Sequence, residues 1–114
     1  MVYFGFAVAD SMFAAMGDCL IRRTKLAVET VREMAAQGVL TPCLNPSHTA
    51  TISAMRQRFD IDIGIPERPP QVALRSGDSV IVMSVRGLPR LTDRHEYTPE
   101  EVATATFEFA MYSV

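Results

Sequence analysis

Hydrophobic positions either alternate with polar ones or run together in five short segments of the chain, which predicts five β-strands. Aromatic and β-branched residues dominate these segments, and such side chains pack well on a pleated surface. In the last segment Phe107 and Phe109 alternate with Glu108 and Ala110, the pattern of a strand with one buried face. The predicted strands span residues 2–8, 19–26, 39–44, 79–85 and 106–112.

Between these segments the pattern changes to a helical period. Apolar residues recur at helical spacing over residues 27–37 and 47–59. Thr98, Pro99 and Glu101 predict a third, short helix, because they supply an N-cap, a proline at the first helical position and the acidic member of a capping box. Three further segments have weaker patterns: a helical turn is expected over residues 11–16, a loop over 64–70, and either a hairpin or a loop leading into the fourth strand over 71–74.

These elements together predict an α/β fold. We expect a single small domain over residues 1–114, in which a mixed five-stranded sheet is flanked by about three helices. A chain of 114 residues is the usual size of one hydrophobic core, and no internal repeat or linker divides it.

Composition and charge restrict the classes of function. The net charge of −2 argues against a duplex DNA binder, which needs a strongly basic face. No apolar run reaches the roughly 18–20 residues of a membrane span, and the first residues lack the basic start of a signal peptide. Cys19 and Cys43 have neither a metal-binding spacing nor a disulfide pattern, so a reducing cytoplasm is the expected location.

His48 is the most informative candidate for chemistry. It opens the second predicted helix, and a helix N-terminus presents unpaired amides and a partial positive charge that bind anions. The hydroxyls of Ser47, Thr49 and Thr51 would add donors around a phosphate. An imidazole beside a phosphate is suited to protonating a leaving oxygen near neutral pH. The alternative is that Ser47 or Thr49 caps the helix and His48 is an exposed first-turn residue.

Arg86 is the second candidate. It follows the apolar run of residues 80–85, at the end of a strand where α/β sheets usually place their ligands. A guanidinium group there would hold a phosphate through two parallel hydrogen bonds and stabilise charge in a transition state. The alternative is a surface arginine in a loop with Gly87.

Three blocks, in this order, carry a resemblance to a known family. Residues 47–52 are similar to its Gly-His-x-Ser-Thr opening of a helix, and residues 76–86 to its pattern of Gly-Asp, an apolar strand and Arg. Residues 97–102, which run into residues 106–109, are similar to its C-terminal helix and strand. The chain thus resembles the small viral-type ring nucleases that act as type III anti-CRISPR proteins, and their cellular relatives.

The resemblance implies cleavage of cyclic oligoadenylate, the second messenger of type III CRISPR defence, without a metal or another cofactor. Cyclic tetra-adenylate is the expected substrate, and other ring sizes are further candidates. In the family a ribose 2′-hydroxyl attacks the adjacent phosphorus and a histidine protonates the departing 5′-oxygen, which leaves a 2′,3′-cyclic phosphate. By position His48 would be the general acid, Arg86 would clamp the phosphate, and Thr49 and Thr51 would hold ligand phosphate. The resemblance also implies a homodimer with the ring lying across its interface.

The sequence departs from the family at two places. The family's Asn in the first strand-to-helix turn is absent here, and Asp10 and Ser11 are the candidates to replace its contact, although the acid of Asp10 would repel phosphate. The family's Glu shortly after the strand-end Arg, which orients the histidine, is replaced by the stretch 87–90. Arg68 and Arg90 are candidates for a compensating phosphate contact. We therefore expect a changed rate, pH profile or ring-size preference.

Two other hypotheses stay open at this point. In the first, the chain is a sponge, a protein that sequesters the cyclic nucleotide without cutting it; the missing Glu favours this hypothesis. In the second, the chain is a structural or protein-interaction domain that binds no nucleotide, and its C-terminal strand pairs two chains.

Overall fold

A central sheet and three helices make up most of the chain. The computed structural model describes residues 1–92 and 94–114. Its strands are β1 (Val2–Gly5), β2 (Arg22–Leu26), β3 (Leu40–Pro42), β4 (Ser79–Arg86) and β5 (Thr106–Ser113). Its helices are α1 (Val28–Ala36), α2 (Thr49–Phe59) and α3 (Pro99–Thr104), with two short 3-10 turns at Asp10–Phe13 and Pro46–His48.

The five strands form one mixed sheet in the order β2-β5-β4-β1-β3. β1 runs parallel to both β3 and β4, whereas β5 runs antiparallel to β4 and to β2. The carboxyl ends of β1, β3 and β4 therefore lie on one side of the sheet, which we call the carboxyl edge. Ligands of α/β sheets usually bind at this edge.

The three helices cover one face of the sheet. In the core on this face, buried residues of the strands pack against buried residues of every helix. They include Phe4, Ile81 and Phe109 from strands, Val31 from α1, Met55 from α2 and Val102 from α3. The opposite face is covered over β1 and β4 by the first 3-10 turn and by Val72 and Leu74, whose side chains pack with Tyr3, Val80 and Val82. Over β2 and β5 the same face carries the exposed side chains of Arg23, Lys25 and Glu108.

The short helix α3 is held to α2 by Arg58. The Arg58 guanidinium donates hydrogen bonds to the carbonyl oxygens of Val102, at 2.8 Å, and Ala105. It also lies 5.3 Å and 5.4 Å from the ring centres of Phe59 and Phe107. Because α3 has only six residues, too few to be stable alone, these contacts position it.

The predicted α/β fold with a mixed five-stranded sheet and three helices is confirmed. Residues 71–74 form no strand, so of the two predictions for this segment the loop is correct. The hypothesis that the C-terminal strand pairs two chains is wrong, because β5 already has β4 on one side and β2 on the other. None of the helices in the described ranges is long and apolar enough to cross a membrane.

Candidate functional site

His48 lies at the carboxyl edge, at the last position of the 3-10 turn Pro46–His48 that leads into α2. Its side chain is half-buried, and its ring packs edge-on against Phe6, the residue after β1, with the ring centres 4.6 Å apart. The backbone N–H of Asn45 donates a hydrogen bond to His48 Nδ1 at 3.2 Å. One aromatic contact and one hydrogen bond therefore hold the imidazole in place.

The hydrogen bond from Asn45 determines which nitrogen of His48 can act on a ligand. Since Nδ1 accepts a hydrogen bond, the neutral ring carries its own proton on Nε2. Nε2 makes no hydrogen bond to any residue of the described ranges. It is therefore the atom of this side chain that is able to donate a proton or a hydrogen bond to a ligand.

The amides of the turn before α2 are paired, contrary to the expectation from the sequence. Asn45 acts as the N-cap: its side-chain oxygen accepts from the Ser47 N–H at 2.9 Å, and its carbonyl accepts from the His48 N–H at 2.9 Å. Pro46 has no N–H, and its carbonyl accepts from the Thr49 N–H. The turn therefore has few unpaired amides for an anion, and it would bind one mainly through side chains.

The hydroxyls expected to bind phosphate are partly engaged as well. The Ser47 hydroxyl donates to the side-chain oxygen of Asn45, and the Thr49 hydroxyl donates to the Pro46 carbonyl at 2.7 Å. Thr49 also lines a separate surface groove of about 320 Å³ beside α2. Thr51 is half-buried one turn after His48. A ligand phosphate would have to compete with these local bonds for the hydroxyl protons of Ser47 and Thr49.

Arg86 lies at the end of β4 and pairs with a carboxylate that the sequence did not identify. Its guanidinium donates to Glu108 of β5 at 3.0 Å, and its side chain is 72% exposed. Val82 is in register with Gly5 of β1, so Arg86, four residues later, lies about 13 Å farther along the sheet than Gly5. In the part of the chain that the structure describes, Arg86 forms no hydrogen bond with His48. A ligand in contact with both would have to extend along the carboxyl edge.

A groove of about 540 Å³ opens at the carboxyl edge beside the ends of β1 and β3. Ser11 and Met12 line it from the first 3-10 turn, Cys43 from the end of β3, and residues 69–73 from the loop before β4. Burial raises the pKa of the Cys43 thiol, so the thiol is neutral near pH 7. Ser11 is the residue predicted to contact a ligand that lines this groove.

Arg68 and Arg90 are both exposed and lie in loops. Arg68 immediately precedes Pro69, which lines the groove, and Arg90 follows the turn at Gly87 that ends β4. Across residues 1–92 and 94–114 no three His, Cys, Asp or Glu side chains come together in a group that could hold a metal ion.

Sequence reasoning missed Asn45, Phe6 and Glu108. Asn45 had a recognisable signal, because Asn before Pro is a common helix N-cap followed by a proline at the first position. Phe6 and Glu108 had none: Phe6 contacts His48 from 42 positions away along the chain, and Glu108 contacts Arg86 from 22 positions away. Their roles appear only when the order and register of the strands are known.

Comparisons with known proteins support the fold. The sequence matches no known family and no curated protein. Among solved structures, the chain is similar to the B116 protein of Sulfolobus turreted icosahedral virus, with 15% sequence identity and a TM-score of 0.70. The match covers 99% of this chain and 98% of that one. A viral protein therefore has the same fold over its whole length.

Proposed function

We propose that this chain is a ring nuclease that cleaves cyclic oligoadenylate without a metal ion, and so ends type III CRISPR signalling. The observation that carries the proposal is the half-buried His48 at the carboxyl edge. Phe6 and Asn45 orient its ring, and its Nε2 bonds no residue of the ranges 1–92 and 94–114. The order of the three sequence blocks supports it, and the viral protein of the same fold is in keeping with a viral-type family.

In the proposed reaction a ribose 2′-oxygen attacks the adjacent phosphorus and loses its proton to solvent. A bond forms from this oxygen to phosphorus, the bond from phosphorus to the 5′-oxygen breaks, and His48 Nε2 gives its proton to the 5′-oxygen. The products are a 5′-hydroxyl and a 2′,3′-cyclic phosphate on a linear chain. Arg86, which lies farther along the carboxyl edge, binds a phosphate oxygen of a ligand that extends along this edge, and its positive charge stabilises negative charge on the cyclic nucleotide.

Acid catalysis by His48 requires a rearrangement at Nδ1. A ring that donates a proton from Nε2 as an acid carries protons on both nitrogens, and Nδ1 is then unable to accept the Asn45 N–H. The hydrogen bond between these residues must break when the acid form is made. Because no carboxylate faces Nδ1 in the described residues, the negative charge of the bound phosphodiester is what stabilises the charged ring.

The test is incubation with labelled cyclic tetra-adenylate in EDTA, followed by chromatography of the products. We expect linear products that end in 2′,3′-cyclic phosphate, and a loss of roughly 10²–10⁴ in rate for His48→Ala. His95→Ala is the matched control, because it removes the other histidine, which is exposed in the loop before α3. An intact ring with the wild-type chain, or equal cleavage by His48→Ala, contradicts the proposal. Rings of three to six nucleotides in the same assay measure the size preference.

A second candidate is a sponge that binds cyclic oligoadenylate without cutting it. The engaged Nδ1 of His48 favours it, because the observed ring is arranged to donate a hydrogen bond and not to act as an acid. This candidate predicts tight binding that survives His48→Ala, with no linear product from the wild type. A chain that neither binds nor cuts any ring, in a thermal-shift screen of rings of three to six nucleotides, would favour the structural or protein-interaction domain.

A homodimer is part of the proposal. A two-fold symmetric ring fits a symmetric pair of chains, each of which contributes one His48 and one Arg86. Light scattering behind a size-exclusion column, with and without cyclic tetra-adenylate, tests it: a mass of one chain in both runs contradicts the dimer. Gel-shift assays with duplex DNA serve as the negative control, since the net charge of −2 predicts no binding.

A further inference from the structure

We propose that the groove at the carboxyl edge is an adenine subsite and that Gln71 reads the base. The inference rests on the proposed function, which supplies the adenylate ligand, and adds where a base sits and which side chain selects it. The groove has a volume of about 540 Å³, within the roughly 300–1,000 Å³ of small-ligand sites.

The walls of the groove are apolar and tied together. Met12 and Val72 pack against the hydrophobic cluster on the face of the sheet opposite the helices, so they offer a base an apolar contact surface. The Leu74 N–H donates to the Met12 carbonyl at 2.8 Å, which joins the 3-10 turn to the loop before β4. Since this bond holds the two walls at one end, the groove exists without a ligand and needs little reordering to bind one.

Gln71 carries the chemistry that distinguishes adenine. Its side chain is exposed, lines the groove and makes no hydrogen bond within the described part of the chain. A carboxamide donates to N7 of adenine and accepts from its N6 amino group at the same time. Guanine presents two acceptors, N7 and O6, at that edge, so the carboxamide oxygen would face the oxygen of guanine. The same side chain therefore favours adenine and disfavours guanine.

The groove and His48 approach the carboxyl edge from opposite faces of the sheet: Cys43 packs in the cluster on the face away from the helices, whereas Phe6, which contacts His48, packs in the helix-side core. A nucleotide whose base lies in the groove would therefore pass around the carboxyl edge to bring its phosphate to His48. Cys43 lines the groove, and Asn45, which holds His48, follows two residues later, at most about 7 Å along the chain. Ser11 lies in the same groove and is available to the ribose. Because burial raises the pKa of the Cys43 thiol, this side chain adds no negative charge that would repel a nucleotide.

The first experiment measures protection of Cys43 by a mononucleotide. The full chain is alkylated with iodoacetamide with and without saturating adenosine 5′-monophosphate, and each cysteine is quantified by mass spectrometry. We expect Cys43 to react at least fivefold more slowly with the nucleotide, and guanosine 5′-monophosphate to protect it less. Cys19, which does not line the groove, is the internal control and should react at the same rate throughout.

The second experiment measures selectivity. We expect Gln71→Ala to lower the ratio of affinities for the adenine and guanine mononucleotides roughly tenfold. The control is Gln37→Ala, because Gln37 is exposed just after α1, lies outside the groove, and its side chain donates a hydrogen bond to Glu33 at 3.4 Å. Equal protection of Cys43 by both nucleotides, or an unchanged ratio in Gln71→Ala, overturns the inference.

The experiments on the adenine subsite and the cleavage assay of the proposed function can fail independently of each other. Selective protection of Cys43 in a chain that never cleaves a ring supports the subsite and contradicts the nuclease. Cleavage dependent on His48, with Cys43 unprotected, supports the nuclease and contradicts the subsite.

Discussion

The cap at Asn45 connects the stability of α2 to the position of His48. The side-chain oxygen of Asn45 accepts two hydrogen bonds from Ser47, and its backbone N–H donates to His48 Nδ1. Asn45→Ala removes the two accepted bonds and leaves the donated one. Loss of an N-cap side chain typically costs about 1 kcal/mol, so we expect the free energy of unfolding to fall by about that amount. Asn45→Asp keeps an acceptor at this position and should stay close to the wild type.

The same magnitude limits the effect on cleavage. A change of about 1.4 kcal/mol corresponds to a factor of ten, so 1 kcal/mol reduces the fraction of chains with an ordered turn by at most about fivefold. Removal of the proposed general acid itself costs roughly 10²–10⁴. Asn45→Ala and His48→Ala should therefore differ in rate by more than an order of magnitude.

Urea unfolding followed by circular dichroism gives the stability, and single-turnover cleavage of cyclic tetra-adenylate gives the rate. A loss of more than a hundredfold in rate for Asn45→Ala, with unchanged stability, would refute the reasoning, because it would mean that the Asn45 side chain acts on the substrate. Unchanged stability together with unchanged rate would show that the cap bonds do not hold this turn.

Three further predictions concern α3 and the end of β4. Thr98→Ala removes the N-cap of α3, whose hydroxyl accepts from the Glu101 N–H at 3.2 Å, and should lower the free energy of unfolding by about 1 kcal/mol in urea. Arg94 and the capping bonds lower the pKa of Glu101 to about 2, below its unfolded value near 4.5, so its stabilising contribution is present above pH 4.5 and lost between pH 4.5 and 2. Thermal unfolding against pH should show a smaller acid destabilisation in Glu101→Gln than in the wild type, and an identical pH profile would contradict this. Glu108→Gln releases Arg86 from an exposed ion pair, so stability should change by less than about 1 kcal/mol while the affinity for cyclic tetra-adenylate rises a few-fold at low salt. A weaker affinity would show that Glu108 positions Arg86 for the ligand.

The fold could be predicted largely from local pattern. The β4 segment has four consecutive buried residues from Val80 to Met83, and the α3 start has a complete capping box, so both depend on neighbours in sequence. Residues 71–74 were ambiguous because Gln71, Val72 and Leu74 suit a strand. In the structure Val72 and Leu74 pack on the sheet without joining its hydrogen bonds, and Gln71 is exposed. Side-chain type alone does not distinguish these two uses.

The site could be predicted only in part. His48 was identified because a histidine at a helix start is a local feature. The hydrogen bonding around His48 was not predicted, because the backbone amides expected to be unpaired donate to Asn45 and to the carbonyl of Pro46. Glu108 was assigned only to the solvent face of its strand, and its contact with Arg86 follows from the antiparallel register of β4 and β5. Contacts that join distant segments carry no signal in a single sequence.

The outer strands of the sheet limit how copies of this chain can associate. β2 presents Arg22, Arg23 and Lys25 along one outer edge, and β3 ends in Pro42 at the other. Like charges repel when two such edges approach, and a proline lacks the N–H that a further strand would need. A ten-stranded sheet running through two copies is therefore disfavoured. We therefore expect a symmetric pair to meet face to face or through its loops, which leaves the sheet of each copy separate.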